Sequence, residues 1–282
     1  MKKVLILGNG YVGRNLFNYV NSSDDVEYII HSRYTLDYSD MHVLNRYVLN
    51  NDITHIVNCF GFTGKPNVDE CEIRKEECWH LNVTLPLKIS QLCKHLCIRY
   101  IHISSGCVYS GYNKEFTESD TPNFGLFNDS SFYSKSKHAY ETMDPYGCIV
   151  RIRMPFCNEF VDRSYLSKIL KYDNLIDFRN SKTYIPDLCR FIQYFIEQNH
   201  RWTGIVNFVN PEALTTTEVV GLLTRAGRTN LNWKFVDTKE LNLLAPRSNC
   251  VLSTEKLQDL FPDFKLLSEK EAIAKALSYI KI

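Results

Sequence analysis

The sequence predicts an α/β fold, a doubly wound parallel sheet with a smaller C-terminal substrate-binding cap. Three observations carry this. Short apolar runs alternate with amphipathic stretches through residues 1–153, the pattern of strands and helices that cover a parallel sheet on both faces. The glycine pattern "GNGYVG", residues 8–13, falls directly after the first apolar run and directly before the first amphipathic stretch. Beyond Met154 the elements shorten and the alternation loosens, so residues 154–282 read as a substrate-binding region, with some of its elements free to pack back on the sheet.

Each element has its own signal. Val4 to Leu7 form a buried strand, and the helix that follows aligns Val12, Leu16, Phe17 and Val20. "VEYIIHS" (26–32) is a second strand, "LDYSDMHVLNRYVLNND" (36–52) a loop and helix, and "ITHIVNCFG" (53–61) a third strand. "ECWHLNVTLPLKISQLCKHL" (77–96) is one long helix, "IRYIHISSG" (98–106) a strand, "FYSKSKHAYETM" (132–143) a helix and "GCIVRIRMP" (147–155) a strand. The cap region holds helices around "YLSKILKY" (165–172) and "KTYIPDLCRFIQYFIEQ" (182–198). A strand at "GIVNFVN" (204–210) and helices from Thr217 and Ser268 complete it. No Gly/Ser linker and no repeat separates the halves.

Composition narrows the function. Thirty-three Lys and Arg against 32 Asp and Glu leave a net charge of +1, which provides no general field for nucleic acid or an anionic membrane. An anionic ligand must be held by local groups. The opening "MKKVLILGNG" stops being apolar at Gly8, below the roughly 7–15 residues of a secretory core, and no run of about 18 marks a membrane span. A cytoplasmic location is expected. Ten cysteines are scattered without zinc spacing, the nearest pairs being Cys71 with Cys78 and Cys93 with Cys97. Most read as reduced core residues, and no metal is expected.

Gly8, Gly10 and Gly13 in their strand–turn–helix context indicate a Rossmann-type dinucleotide site, with the phosphates on the helix N-terminus. Asn9, Tyr11 and Val12 complete the loop, and Asn58, Phe60 and Gly61 lie where the third strand ends on the same edge. An NAD site usually closes the second strand with an acid; here it reads "IIHSRY", and Ser32 and Arg33 suit a 2′-phosphate. NADPH is therefore the expected cofactor, with NADH left open and Arg33 as a plain surface charge the alternative.

"FYSKSKHAY" sets Tyr133 and Lys137 four apart on one helix face. A lysine near a phenol is expected to lower its pKa and to hold the nicotinamide ribose, leaving tyrosine to donate a proton to a carbonyl oxygen. Ser105, with Ser104 as the alternative, closes the preceding strand and would hold that oxygen. Y-x-x-x-K alone is common on exposed helices; after a glycine loop and a strand ending in Ser-Ser it gains force.

At this point the chain resembles the extended short-chain dehydrogenase/reductases, within them the dTDP-4-dehydrorhamnose reductases. "GFTGKPNVDECE" (61–72), "DTPNF" (120–124), "SFYSKSK" (131–137), "RIRMP" (151–155), "GIVNFVNP" (204–211) and "APRSN" (245–249) are similar to the bifunctional nucleotide-rhamnose epimerase/reductases of plants and giant viruses, in order and over almost the whole chain. One departure is the glycine loop, one residue shorter than the G-x-x-G-x-x-G usual there.

The resemblance implies a UDP-linked 4-keto-6-deoxy sugar, inverted at C3 and C5 and then reduced at C4. Both inversions pass through an enolate and need a second pair of proton carriers. Cys107, two residues after Ser105, would point the same way if strand geometry persisted through Gly106, and a thiol exchanges protons near neutral pH. Lys168 is the partner that the resemblance supplies, its amine made a better base by partial burial; which of the two is acid and which base stays open. Thr63, Lys65, Asn67 and Asp69 are candidates to frame the sugar, Arg247 to grip the diphosphate, and Asn82 to hold strand backbone beside the site. A homodimer is compatible with this reading. The alternatives are a reductase without epimerase activity, or a non-catalytic NADP-binding subunit.

Overall fold

The computed structural model describes residues 1–20, 25–143 and 145–279. In chain order the elements are β1 (Lys2–Leu7), α1 (Tyr11–Tyr19), β2 (Val26–His31), α2 (Met41–Asn50), β3 (His55–Asn58), α3 (Glu70–Ile73), α4 (Lys75–Trp79), α5 (Leu85–His95), β4 (Arg99–Ser105), β5 (Gly111–Phe116), α6 (Phe132–Thr142) and β6 (Cys148–Ile152). The second half adds α7 (Tyr165–Lys171), β7 (Asn174–Leu175), α8 (Ile185–Glu197), β8 (Gly204–Asn207), α9 (Thr216–Arg225), β9 (Lys234–Phe235), β10 (Cys250–Leu252), α10 (Glu255–Leu260) and α11 (Glu269–Tyr279).

Six strands form one parallel sheet in the order β2-β1-β3-β4-β6-β8. The direction of winding reverses between β1 and β3, and in open α/β sheets a ligand crevice lies at that reversal, outside the strands' carboxyl ends. Val4 to Leu7, Ile56, Val57 and Val150 have no exposed surface because helices cover both faces. One face carries α1 and α8 over Val4, Ile6, Val57 and Val150. The other carries α2 and α5 over Leu5, Leu7 and Ile56.

The cap region returns to the sheet. β8 pairs with β6, and α8 buries Leu188, Cys189, Phe191, Ile192, Phe195 and Ile196, with Pro186 in its first turn. Phe191 packs against Phe195, Phe208, Phe261 and Phe264, so residues far apart in sequence close one apolar layer. A separate core of Phe156, Leu166, Ile169, Val219, Leu223 and Ile273 belongs to the cap.

The long helix read at 77–96 is continuous but not uniform. α4 and α5 are joined by a π-helical segment, His80–Thr84. The extra residue in that turn rotates Asn82 into the protein, and such turns recur at functional sites. The ten cysteines are all free thiols, seven of them buried.

Candidate functional site

The glycine loop is shaped for an anion. Gly8 leaves β1 with φ +101°, where a side chain is strained, and a Cβ there would meet the Phe60 amide nitrogen at 2.8 Å. A Cβ on Gly13 would lie 2.0 Å from the Gly8 carbonyl oxygen, so only glycine lets α1 pack on the turn. Gly10, the N-cap, faces open space with nothing within 4 Å. The first intrahelical bond is donated by the Arg14 amide to Gly10, leaving the amides of Tyr11, Val12 and Gly13 without helix partners. A cradle closed at Gly8 and Gly13 and open at Gly10 fits a pyrophosphate. Asn9 is engaged by the Arg14 guanidinium at 3.4 Å. The Tyr11 and Val12 side chains turn into the apolar layer, so these residues offer backbone to a ligand.

At the ribose end β2 closes on His31 without an acid. The Ser32 hydroxyl lies 3.3 Å from Thr35 Oγ1 and Arg33 is exposed. Both remain available to a 2′-phosphate.

At the carboxyl end of β4, this strand and α6 bring Ser105, Tyr133 and Lys137 together. Ser131 caps α6, accepting from the Ser134 amide at 3.1 Å, and Glu72 accepts from the Phe132 amide at 2.6 Å, which fixes the turn that carries Tyr133. Lys137 Nζ lies 6.0 Å from the Tyr133 ring centre. Burial raises the Tyr133 phenol, with the nearby Cys107 adding to this and a hydrogen bond from Ser105 opposing it. The lowering expected from lysine is not seen: desolvation dominates, and only the Ser105 hydrogen bond acts against it. A phenol that keeps its proton at neutral pH is the form a proton donor needs. Burial pushes the Lys137 ammonium down to about 8.

Cys107 is half-buried beside this group, but not by strand alternation. β4 ends at Ser105 and the chain turns. The Cys107 amide donates to Ser105 Oγ at 3.2 Å, and Arg153 Nη1 lies 3.7 Å from Cys107 Sγ. The turn and the arginine, rather than the pleat, set the sulfur's direction.

The loop after β3 forms another wall. Arg247 pairs with Asp69 at 2.8 Å, donates to the Ala245 carbonyl at 2.6 Å and approaches Asn67 Oδ1 at 3.4 Å. Arg163 donates to Thr63 Oγ1 at 3.1 Å, while Lys65 is exposed. Lys168 stands on α7 among these groups: burial lowers its ammonium, and Arg163 and Arg247 add to the shift. Asp69 and Asn67 therefore hold Arg247 in the structure, and Thr63 holds Arg163.

Asn82 is fully buried, so it holds backbone beside the site as expected but makes no direct contact with a sugar, and the direct contact expected of Asn58 needs the same correction. Its Oδ1 accepts from the Phe62 amide at 2.7 Å, and its Nδ2 donates to the Phe62 carbonyl at 2.9 Å and Ser136 Oγ at 3.0 Å, so it clamps the loop after β3 to α6. Asn58 is also fully buried. It donates to Tyr100 Oη at 2.9 Å and accepts from the Phe60 amide at 3.0 Å, shaping the Phe60–Gly61 turn without reaching a cofactor.

The sequence reading missed Arg163 and Arg153. The signal for Arg153 was present in "RIRMP": a strand buried on both faces that carries two arginines must supply a partner for each. Arg151 has one, the Glu141 carboxylate at 2.6 Å.

The profile of the RmlD substrate binding domain matches residues 1–281. A bifunctional dTDP-4-dehydrorhamnose 3,5-epimerase/dTDP-4-dehydrorhamnose reductase of Arabidopsis thaliana is 33% identical over 235 residues, covering 79% of this chain and 75% of that protein. The crystal structure of the L780 UDP-rhamnose synthase from Acanthamoeba polyphaga mimivirus superposes with TM-score 0.86 at 26% identity, over 99% of both chains. The fold is shared with a dTDP-4-dehydrorhamnose reductase from Bacillus anthracis in complex with NADP, at TM-score 0.84 and 18% identity over 99% of this chain and 100% of that one.

Proposed function

The chain belongs to the RmlD substrate binding domain family, the NADPH-dependent reductases of nucleotide-rhamnose synthesis, and from that premise we propose a bifunctional enzyme that epimerises UDP-4-keto-6-deoxy-D-glucose at C3 and C5 and reduces C4 to give UDP-L-rhamnose. The observation that carries the added epimerase step is the half-buried Cys107 thiol placed beside Tyr133 and Ser105, with a second proton carrier, Lys168, on the cap wall.

The backbone amides at Tyr11–Gly13, the Ser32 and Arg33 side chains, and Lys137 would hold the cofactor. NADPH, when bound, supplies a hydride to C4. Ser105 and Tyr133 grip the C4 oxygen, which bears the negative charge whenever a proton leaves C3 or C5. One of Cys107 and Lys168 takes that proton, and the other returns one on the opposite face of the ring. Once both centres are inverted, Tyr133 delivers its proton to the C4 oxygen as C4 is reduced. Burial, with Arg163 and Arg247 adding to it, lowers the Lys168 ammonium and so eases loss of its proton. Arg247 turns from Asp69 toward the diphosphate, exchanging one anion for another.

The test is product analysis by NMR. The unepimerised UDP-linked 4-keto sugar with NADPH is expected to give UDP-L-rhamnose. If only the pre-inverted sugar is consumed, the protein is a reductase alone. Comparing UDP- and dTDP-linked substrates assigns the base.

A further inference from the structure

Four lysine and arginine side chains are buried in the described residues: Lys137, Arg151, Arg153 and Lys182. Taking a cation out of water is costly unless an anion compensates it. Arg151 is paired with Glu141 and Lys182 with Glu269, each at 2.6 Å. Among the described residues neither Lys137 nor Arg153 has a carboxylate partner. Lys137 belongs to the reacting group already described. Arg153 is 2% exposed, too enclosed to bind a substrate itself.

Its contacts are almost all neutral. Nη1 donates to the Gly106 carbonyl at 3.1 Å and Ser248 Oγ at 2.9 Å; Nη2 donates to Asn180 Oδ1 at 2.7 Å and the Ser248 carbonyl at 3.1 Å; Nε has no partner. The remaining contact is Nη1 with Cys107 Sγ at 3.7 Å. A Cβ on Gly106 would run into the Leu252 side chain and meet Arg153 Cγ at 3.0 Å, so the glycine before Cys107 makes room for both the leucine and the arginine stem under the turn. The titratable groups around the guanidinium are Cys107, Cys250, Tyr112 and Tyr133, with Lys182 beyond them, its charge held by Glu269. Cys107 also acts through space on Lys137. Of these groups Cys107 is the one whose side chain contacts the guanidinium, and it is half-buried beside Tyr133.

We propose that Arg153 is a positioning residue for proton exchange, which fixes the Cys107 sulfur in the cleft and balances the negative charge that sulfur carries during the step. This rests on the epimerase reading above. Acting as base, the thiolate takes a proton from C3 or C5, a C–H bond breaks, an S–H bond forms, and the electron pair moves into the enolate. Acting as acid, the S–H bond breaks, a C–H bond forms, and sulfur is left with the pair. In either direction sulfur is an anion on one side of the step, so the buried guanidinium favours exchange whichever role Cys107 takes.

The test uses full-length Arg153→Met, which removes the charge, and Arg153→Lys, which keeps it without the fork. Proton exchange at C3 and C5 is followed by NMR in deuterated buffer, and reduction is followed with the pre-inverted sugar. Alkylation of Cys107 by iodoacetamide is read by peptide mass as a function of pH. A hydrogen bond to a charged group is worth roughly a 10- to 100-fold effect. Arg153→Met is expected to slow exchange by that factor, to change reduction by less than about 3-fold, and to move Cys107 alkylation to higher pH, with Arg153→Lys between it and the native protein. Exchange and reduction falling equally, or an alkylation profile unchanged in both variants, would overturn the proposal. If Arg153→Met does not fold, an unshifted profile in Arg153→Lys overturns it and an upward shift supports it. Full exchange in Cys107→Ala would overturn the role of Cys107 as a proton carrier, and the proposed role of Arg153 with it, whereas no exchange at C3 or C5 in the native protein would overturn the epimerase reading itself.

Discussion

Replacing Lys137 with methionine is expected to make the cofactor-free protein more stable at neutral pH. Lys137 is 3% exposed, and burial lowers its ammonium from 10.5 to about 8. At about 1.4 kcal/mol per unit, the native fold carries the charge at a cost of about 3 kcal/mol. The folded value lies below the unfolded one, so between pH 8 and 10.5 the unfolded chain binds the extra proton and native stability rises with pH. Below that window both states are charged and the full cost is present; above it both are neutral and the cost is gone. In Lys137→Met this dependence is absent. Urea unfolding of both proteins at about pH 7 and about pH 9.5 should show the native protein gaining about 2 kcal/mol on the variant over that interval. The variant should lose reduction altogether. Parallel stability curves would mean instead that the amine reaches water or finds an anion.

Other outcomes follow from single contacts. Tyr133→Phe should lower reduction by roughly 10²- to 10⁴-fold while NADPH still binds by fluorescence titration. Gly10→Ala should leave the melting temperature unchanged, since nothing lies within 4 Å of its Cβ position, but should weaken NADPH binding at least about tenfold. Gly13→Ala should unsettle the fold itself, seen as a lower melting temperature, because its Cβ would lie 2.0 Å from a carbonyl oxygen. Asn82→Leu strands the Phe62 amide and Ser136, and should cost about 2–3 kcal/mol in urea unfolding.

Much of the fold was legible because its signals are local. Apolar runs located every strand of the main sheet, including β8, and the glycine spacing located the phosphate turn. The small pairings of β5 with β10 and β7 with β9 were not visible: β5 is largely exposed and polar, and its partner lies far along the chain. The site divides the same way. Tyr133 and Lys137 share a helix face and Ser105 ends a strand, so spacing was enough to bring them together. Cys107 was placed beside Ser105 by assuming a continued pleat, yet a turn and Arg153 do the placing. Asn82 was expected to hold backbone, but its link to α6 through Ser136 was not visible, because nothing in "HLNVT" announces the π-helical turn that aims it. "RIRMP" signals that Arg153 needs a partner but not which one, because its partners Cys107, Asn180 and Ser248, like Thr63 for Arg163, lie far along the chain.

The claim at the centre is that one cleft both exchanges the protons at C3 and C5 and reduces C4. Turnover of the unepimerised UDP-linked 4-keto sugar with NADPH in deuterated buffer tests it directly, through the isotope content of the rhamnose formed. Deuterium is expected at both C3 and C5, and no rhamnose from Cys107→Ala unless the inverted sugar is supplied. Failure to form rhamnose from the unepimerised sugar, while the inverted sugar is reduced normally, would contradict it.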